Sequence, residues 1–388
     1  MKTIKLIIGI LFAGGLITSC IERYFPGYES EFIPQLVIEG TISPDEGEQE
    51  IVISNSSSPD DPKFIAVSGC GVQVEDEKGN QFNFPESTVA GHYRGRIDGD
   101  KVIIGTHYRL LVQTPEGKQY ASSYEELLPC PPIDSLYFDL ETKLTSDPNK
   151  NLNGLQFYID FKGNDSYGHY YRLEAIETYE YHSKWPLDKW QDRWGGRHNL
   201  EEPDFSNFIC YKTTKLRNIF DLSTDGFSKN SYSNYRLHFV KDQTQQLQYK
   251  YSLLVNQYSL DKKAFNYWEN LRKNNQETVD LFGKQPSWIK GNIYNVNDTT
   301  DFALGYFGVS TVQSKRIMVH PFEGLSFDKA QDCKAYPISG KLPTMQLLYF
   351  ANDLDENFEP YEGIAAAECI FCQLLGGTTQ KPSYWDEK

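Results

Sequence analysis

The residue types best able to do chemistry in this 388-residue chain are its seven cysteines, its seven histidines and a tryptophan-rich segment. Cys369-Ile370-Phe371-Cys372 has the spacing of a redox pair or of half a zinc site. The sequence offers no second C-x-x-C and no thioredoxin-like βαβ context, so the pair reads as structural stapling. His92, His107, His169, His182, His198, His238 and His320 are scattered, with no two at metal-ligand spacing. Asp353-Leu354-Asp355-Glu356-Asn357-Phe358-Glu359 alternates oxygen side chains as a calcium loop does at its start. Phe358 stands where such a loop needs Gly, and Ile364 where it needs a bidentate Glu, so a solvated acidic turn is expected. Nucleophile elbows, H-E-x-x-H pairs and phosphate-cradling glycine loops are missing from the sequence, and no catalytic residue, metal or cofactor is expected. Trp185, Trp190 and Trp194 lie among Pro186, Asp188, Asp192, Arg193, Gly195 and Gly196, at spacings that make no sustained helical face. They are expected on a loop, where indoles offer flat apolar area and one N–H donor to a sugar face or a protein partner. The competing expectation is a satellite cluster packed on the second domain.

The amino terminus is an export signal. Lys2 and Lys5 precede a largely apolar stretch from Leu6 to Ile17, and small Ser19 comes just before Cys20. Ile17-Thr18-Ser19-Cys20 resembles a bacterial lipobox, in which the signal is cut before a diacylated cysteine and the new amino terminus is acylated. Three chains, at roughly 0.8 kcal/mol per buried CH₂, anchor far more firmly than one. An ordinary signal peptide with an incidental Cys20 is the alternative, because Ile occupies a position where Leu or Val is commoner. Residues 1–19 are thus the leader and 20–34 a lipidated tether, placing the protein on the outer membrane. Ile21-Glu22-Arg23-Tyr24 carries no clear acidic sorting signal, so the periplasmic and surface faces both stay open. An exported chain with six further cysteines predicts three disulfides. Cys70 opens a strand and Cys130 lies at the exit of the same domain, so these two are expected to pair. Cys210, Cys333, Cys369 and Cys372 allow three pairings, among which the sequence does not choose.

Elements follow from periodicity. Leu36–Glu39, Glu50–Ile53, Gly71–Val74, Gln81–Phe84 and Tyr108–Val112 alternate with a period of two, and hairpin turns are expected at Glu77–Asn80 and Pro115–Lys118. Residues 35–132 are therefore expected to form a small immunoglobulin-like β-sandwich. Pro129-Cys130-Pro131-Pro132 marks its end. Residues 133–388 are expected to form a larger β-rich domain with strands at Ser135–Phe138, Leu155–Asp160, Tyr170–Ala175 and Leu247–Val255, and a Cys-rich carboxy-terminal segment. Ala264, Phe265, Trp268 and Leu271 recur at three- and four-residue spacing, predicting one amphipathic helix near 260–274 with Ser259 or Asp261 as its cap. Phe265 and Trp268 read as its buried stripe.

Gly291-Asn292-Ile293-Tyr294, Leu304-Gly305-Tyr306-Phe307-Gly308-Val309, and Cys369 to Thr378 continuing through Lys381-Pro382-Ser383-Tyr384-Trp385 resemble the closing motifs of a Bacteroidota lipoprotein family of unknown function. Leu36-Val37-Ile38-Glu39-Gly40 and Pro131-Pro132-Ile133-Asp134-Ser135-Leu136 stand where that family has similar residues. The family is often encoded beside TonB-dependent outer-membrane receptors. The resemblance therefore implies an envelope lipoprotein working near a receptor or barrel, and it brings no catalytic residues. Tyr181 to Asn199 has no counterpart in that pattern.

Composition narrows the rest. With 39% apolar and 14% aromatic residues the chain can bury a core, and no apolar run beyond the leader is long enough for a membrane helix. A net charge of −15 without a basic stripe opposes nucleic-acid binding. The expected role is a non-enzymatic binding or accessory subunit of a TonB-dependent receptor or related envelope complex. An envelope hydrolase acting on glycan or peptide, and a structural subunit of a barrel-assembly or secretion complex, are the alternatives.

Overall fold

Alternation of apolar and polar residues dictates the first pair of layers. Ile38 and Ile42 on Leu36–Ile42, with Ile51 and Ile53 on the antiparallel Gln49–Asn55, point to one side. They meet Val72 and Val74 on Gly71–Asp76, and Tyr108, Leu110 and Val112 on His107–Gln113, in one buried core. His92–Gly95 and Ile65–Ala66 extend the first sheet, and Gln81–Asn83, Gln119–Ser122 and Glu125–Glu126 the second. The computed structural model describes residues 33–386 apart from 45–46, 59–60, 148–150, 165, 278–287, 299 and 322–332. Cys20, the leader and most of the tether lie outside the described residues.

The sandwich is discontinuous in sequence. Phe307–Val309 pairs in parallel with Leu36–Ile42, Ile293–Asn295 pairs with Gln119–Ser122, and Ile293, Phe307 and Val309 join the same core. Glycine makes this return feasible. A Cβ on Gly291 would overlap the Gly305 carbonyl oxygen, and one on Gly305, whose φ is 91°, would overlap the Ile38 carbonyl oxygen.

A second pair of sheets follows. Ile133–Leu144, Asn151–Lys162 and Ser231–Lys241 form a three-stranded antiparallel sheet. Its Leu155, Phe157, Ile159, Leu237 and Val240 pack against Leu173, Ala175, Leu253 and Val255. Those residues come from Tyr170–His182 and Tyr251–Leu260, which are flanked by Ile209–Lys215, Phe220–Ser223 and Val312–Val319. Lys262–Glu277, the one α-helix among the described residues, begins at Asp261, whose carboxylate accepts the Ala264 N–H at 2.7 Å. Phe265, Trp268 and Leu271 pack towards Leu260 of the second pair of sheets and Tyr306 of the returning segment, so the expected stripe does face inward. No described helix is long and apolar enough to cross a membrane.

A fifth sheet joins Leu187–Gln191 and Arg197–Asp204 to Leu348–Leu354, Pro360–Ala365 and Tyr336–Pro337. Disulfides tie it down: Cys333 pairs with Cys369, and Cys210 with Cys372. The C-x-x-C cysteines thus bond to different partners, which is structural stapling. The expected Cys70–Cys130 bridge does not form. Cys70 stays in the first sandwich, whereas the proline-rich joint carries Cys130 into the second, where its Sγ lies 3.3 Å from the Gln257 carbonyl oxygen beside Phe161, Tyr171 and Leu222. The last residues strap across the second unit. Trp385 is 2% exposed, meets the Tyr211 ring edge-on at 5.2 Å and donates its indole N–H to Glu180 at 3.0 Å.

Candidate functional site

The outward face of the Gly71–Gln113 sheet carries a concavity of about 710 Å³, within the range of ligand clefts. Its origin lies in strand parity. Because Val72, Val74, Leu110, Val112 and Tyr120 fill the core, their neighbours project to the other side. The register then sets Asn83, Gln73, Leu111, Ala121 and Tyr294 in one row across five strands, and Gly71, Gln113 and Gln119 in the next. Gly71 has no side chain and Ala121 only a methyl, which leaves the middle of the face low. Leu111 and Ala121 form an apolar floor, Tyr294, 45% exposed, and Val296 one wall, and Gln73, Asn83, Gln113 and Gln119 bring carboxamides. Gln73 already donates to Asn83 Oδ1 at 2.8 Å.

The wall at Tyr294 belongs to the returning segment, so its placement depends on how that segment is held. Asn292 donates to Glu125 and to the Phe307 carbonyl and accepts the Phe307 N–H, at 2.8–3.0 Å. Asp301 accepts hydrogen bonds from Lys118, Tyr120 and Asn295, each at 2.9 Å. Burial works against ionisation of Asp301, but these donors outweigh it and keep its carboxyl below the usual range.

Electrostatically the cleft is close to neutral. Arg109 is the charged residue of its lining, and it donates to Glu75 through Nε at 2.9 Å and Nη2 at 2.6 Å while lying over the Tyr124 ring. A hydrogen bond from Gln81 and, against some desolvation, the Arg109 guanidinium hold Glu75 below the usual carboxylate range. Burial pushes the Cys70 thiol up, so it stays protonated and weakly nucleophilic at neutral pH. The lining residues include no carboxylate and no imidazole; besides Arg109, their ionisable groups are the Cys70 thiol and the Tyr120 and Tyr294 phenols. The arrangement can bind a ligand through shape, apolar contact and neutral hydrogen bonds.

The residues singled out from sequence fare differently. Trp190 lies on the strand Leu187–Gln191, half-buried and stacked on His198 at 4.9 Å, and Trp185 packs at the edge of the fifth sheet's core with Lys184 Nζ 4.3 Å from its ring centre. Only Trp194 of the three is open, at 89%, on the turn of the hairpin. The expected loop of three displayed indoles is therefore a hairpin, closed by Asp192, which accepts the Trp194 and Gly196 N–H groups and pairs with His198. The acidic turn is satisfied by its own chain: Asp355 accepts the Asn357 and Glu359 N–H groups, and Asp353 binds Lys184 at 3.0 Å. His92, His107, His182 and His198 each face a carboxylate at 2.7–3.1 Å, and no cluster of three metal-ligating side chains occurs among the described residues. Sequence reasoning missed the cleft entirely. Tyr294 pairs beside Ala121, 173 residues before it in the chain, and no local pattern announces that return.

No curated protein matches the chain. Residues 21–316 match a domain of unknown function, DUF4249, and the chain belongs to that family. The matched span includes the first sandwich and both returning strands, whereas Cys333, Cys369, Cys372 and Trp385 lie beyond it.

Proposed function

We propose that this DUF4249 protein is a lipid-anchored protein of the bacterial outer membrane that binds a ligand in the cleft on its first sandwich. In this reading it serves as an accessory subunit of a TonB-dependent receptor or a related envelope complex. The observation that carries the binding role is the cleft itself, a neutral, amide-rimmed depression on an outward sheet face with no carboxylate or imidazole in its lining. A lining without carboxylates disfavours a glycan hydrolase of the two-carboxylate kind acting there. The anchor rests on Ile17-Thr18-Ser19-Cys20, and the receptor partnership on the resemblance carried by the glycine-bearing motifs that place Tyr294. Trp194 offers a separate exposed aromatic contact for a protein partner.

Purification of the native protein in mild detergent, followed by identification of what copurifies, tests the proposal. Recovery from the membrane fraction with an outer-membrane barrel is expected, and Cys20→Ser should release the protein or leave an uncleaved precursor. Recovery of the wild type in the aqueous fraction would overturn the anchor, and recovery without any barrel would overturn the partnership.

A further inference from the structure

We infer that the cleft takes a neutral oligosaccharide, lying across the strands along the row from Asn83 to Tyr294. This deepens the binding role proposed above and rests on it. Three features of the face select that chemistry. Gln113 and Gln119 carry carboxamides with one carbonyl acceptor and two N–H donors, and the Gln73–Asn83 pair, joined by one hydrogen bond, keeps a Gln73 carbonyl and an Asn83 amide group, which together complement hydroxyls that both donate and accept. Leu111, Ala121, Val296 and the Tyr294 ring supply an apolar strip between them, which suits the C–H face of a pyranose. The Glu75–Arg109 pair at one end is internally neutralised, so the face holds no unpaired charge to recognise a carboxylate, a phosphate or an amine. An extended peptide is less well served. Its main-chain groups are matched by an open strand edge, whereas this surface is a sheet face whose own main-chain groups are committed to cross-strand pairing.

Gly71 supplies a clean way to close the cleft. Its backbone lies outside the left-handed region, and an added Cβ meets only Gln113 Cβ, at 3.8 Å, an ordinary contact. Gly71→Trp therefore fills the depression from the outward side without disturbing the core. Gln113→Ala and Tyr294→Ala remove one carboxamide and one ring, and serve if the larger substitution impairs folding.

The test is calorimetric titration of the full folded chain with maltohexaose, cellohexaose, xylohexaose and mannohexaose, and with an uncharged hexapeptide for comparison. At least one hexasaccharide should bind, and Gly71→Trp, at unchanged melting temperature, should weaken it by about tenfold or more, the equivalent of roughly 1.4 kcal/mol. Gln113→Ala and Tyr294→Ala should each weaken it by about three- to tenfold. Saccharide binding unaffected by all three variants would overturn the site. Peptide binding sensitive to Gly71→Trp, without saccharide binding, would overturn the ligand class while leaving a binding cleft intact. No binding by any saccharide up to about 10 mM would also overturn the class. Copurification with a barrel is read independently of each of these results.

Discussion

Gly305→Ala should destabilise the first sandwich by at least about 4 kcal/mol while leaving the second unit's protection unchanged. Gly305 sits at φ 91°, a left-handed conformation that costs an L-residue about 1–2 kcal/mol. The larger cost is steric, because the new methyl would overlap the Ile38 carbonyl oxygen and approach the Glu39 side chain at 3.0 Å. The strands must then separate. Their union rests on hydrogen bonds from Ile38 N to Leu304 O at 2.9 Å, Leu304 N to Leu36 O at 2.7 Å and Gly40 N to Tyr306 O at 3.3 Å. Losing three such bonds costs about 3 kcal/mol, so the substitution removes at least about 4 kcal/mol of a typical 5–15. Partial exposure of Phe307 and Val309 adds to this. Gly79→Ala is the control, since Gly79 has φ 84° but nothing within 4 Å of its Cβ, and it should cost only the conformational term. Hydrogen exchange read by mass spectrometry on peptides from Leu36–Ile42 and Gln49–Asn55 reports the outcome. Loss of protection there with retained protection in Tyr251–Leu260 is expected. If Gly305→Ala cost no more than Gly79→Ala, the account of the returning segment would be wrong.

Alkylation of the unfolded, unreduced protein should label two cysteines beyond Cys20, namely Cys70 and Cys130; labelling of none would restore the three-bridge scheme. Cys210→Ala, which opens a loop spanning 162 residues, should cost about 5 kcal/mol on the chain-entropy argument, measured by urea denaturation. Trp385→Ala should cost about 3–5 kcal/mol and Trp194→Ala less than about 0.5, so equal shifts in denaturation midpoint would contradict their assigned burial. Glu125 gives a pH test. Burial pushes its carboxyl above the usual 4.5 despite donors from Asn292, Ser123 and Tyr306, so its contribution to stability is full below that value and is lost as pH rises through the raised one. Glu125→Gln should therefore flatten the melting-temperature profile above pH 4.5 and gain on the wild type towards pH 8; an unchanged slope would contradict this.

How much of this was legible follows from the reach of each signal. Strands such as Leu36–Ile42, Gly71–Asp76 and His107–Gln113 alternate over enough residues for a period of two to be read, and the helix shows its stripe and its Asp261 cap within four turns. The returning strands Ile293–Asn295 and Phe307–Val309 have three residues each, too few for any period. Their glycines stood out in the sequence, but what they pass against is distant, so the reason for them was not readable. Disulfide pairing failed for a similar reason. Cys130 is close in sequence to the first sandwich, whereas the chain carries it past the joint into the second core. The hairpin Leu187–Asp204 was hidden by Pro186, Gly195 and a polar outer strand, Arg197–Asp204, whose pairing rather than its hydrophobicity defines it. The cleft needed the strand register and the returning segment together, since its floor comes from Leu111 and Ala121 and its wall from Tyr294 and Val296.

The most direct test of the cleft is to follow the side-chain carboxamide resonances of the folded protein by NMR while titrating the tightest-binding hexasaccharide. Gln73, Asn83, Gln113 and Gln119 should shift together and saturably, while Gln156 and Gln257, buried in the second unit, should stay in place. Shifts confined to residues around Trp194, or absent from the four cleft amides, would contradict the assignment of ligand binding to this face.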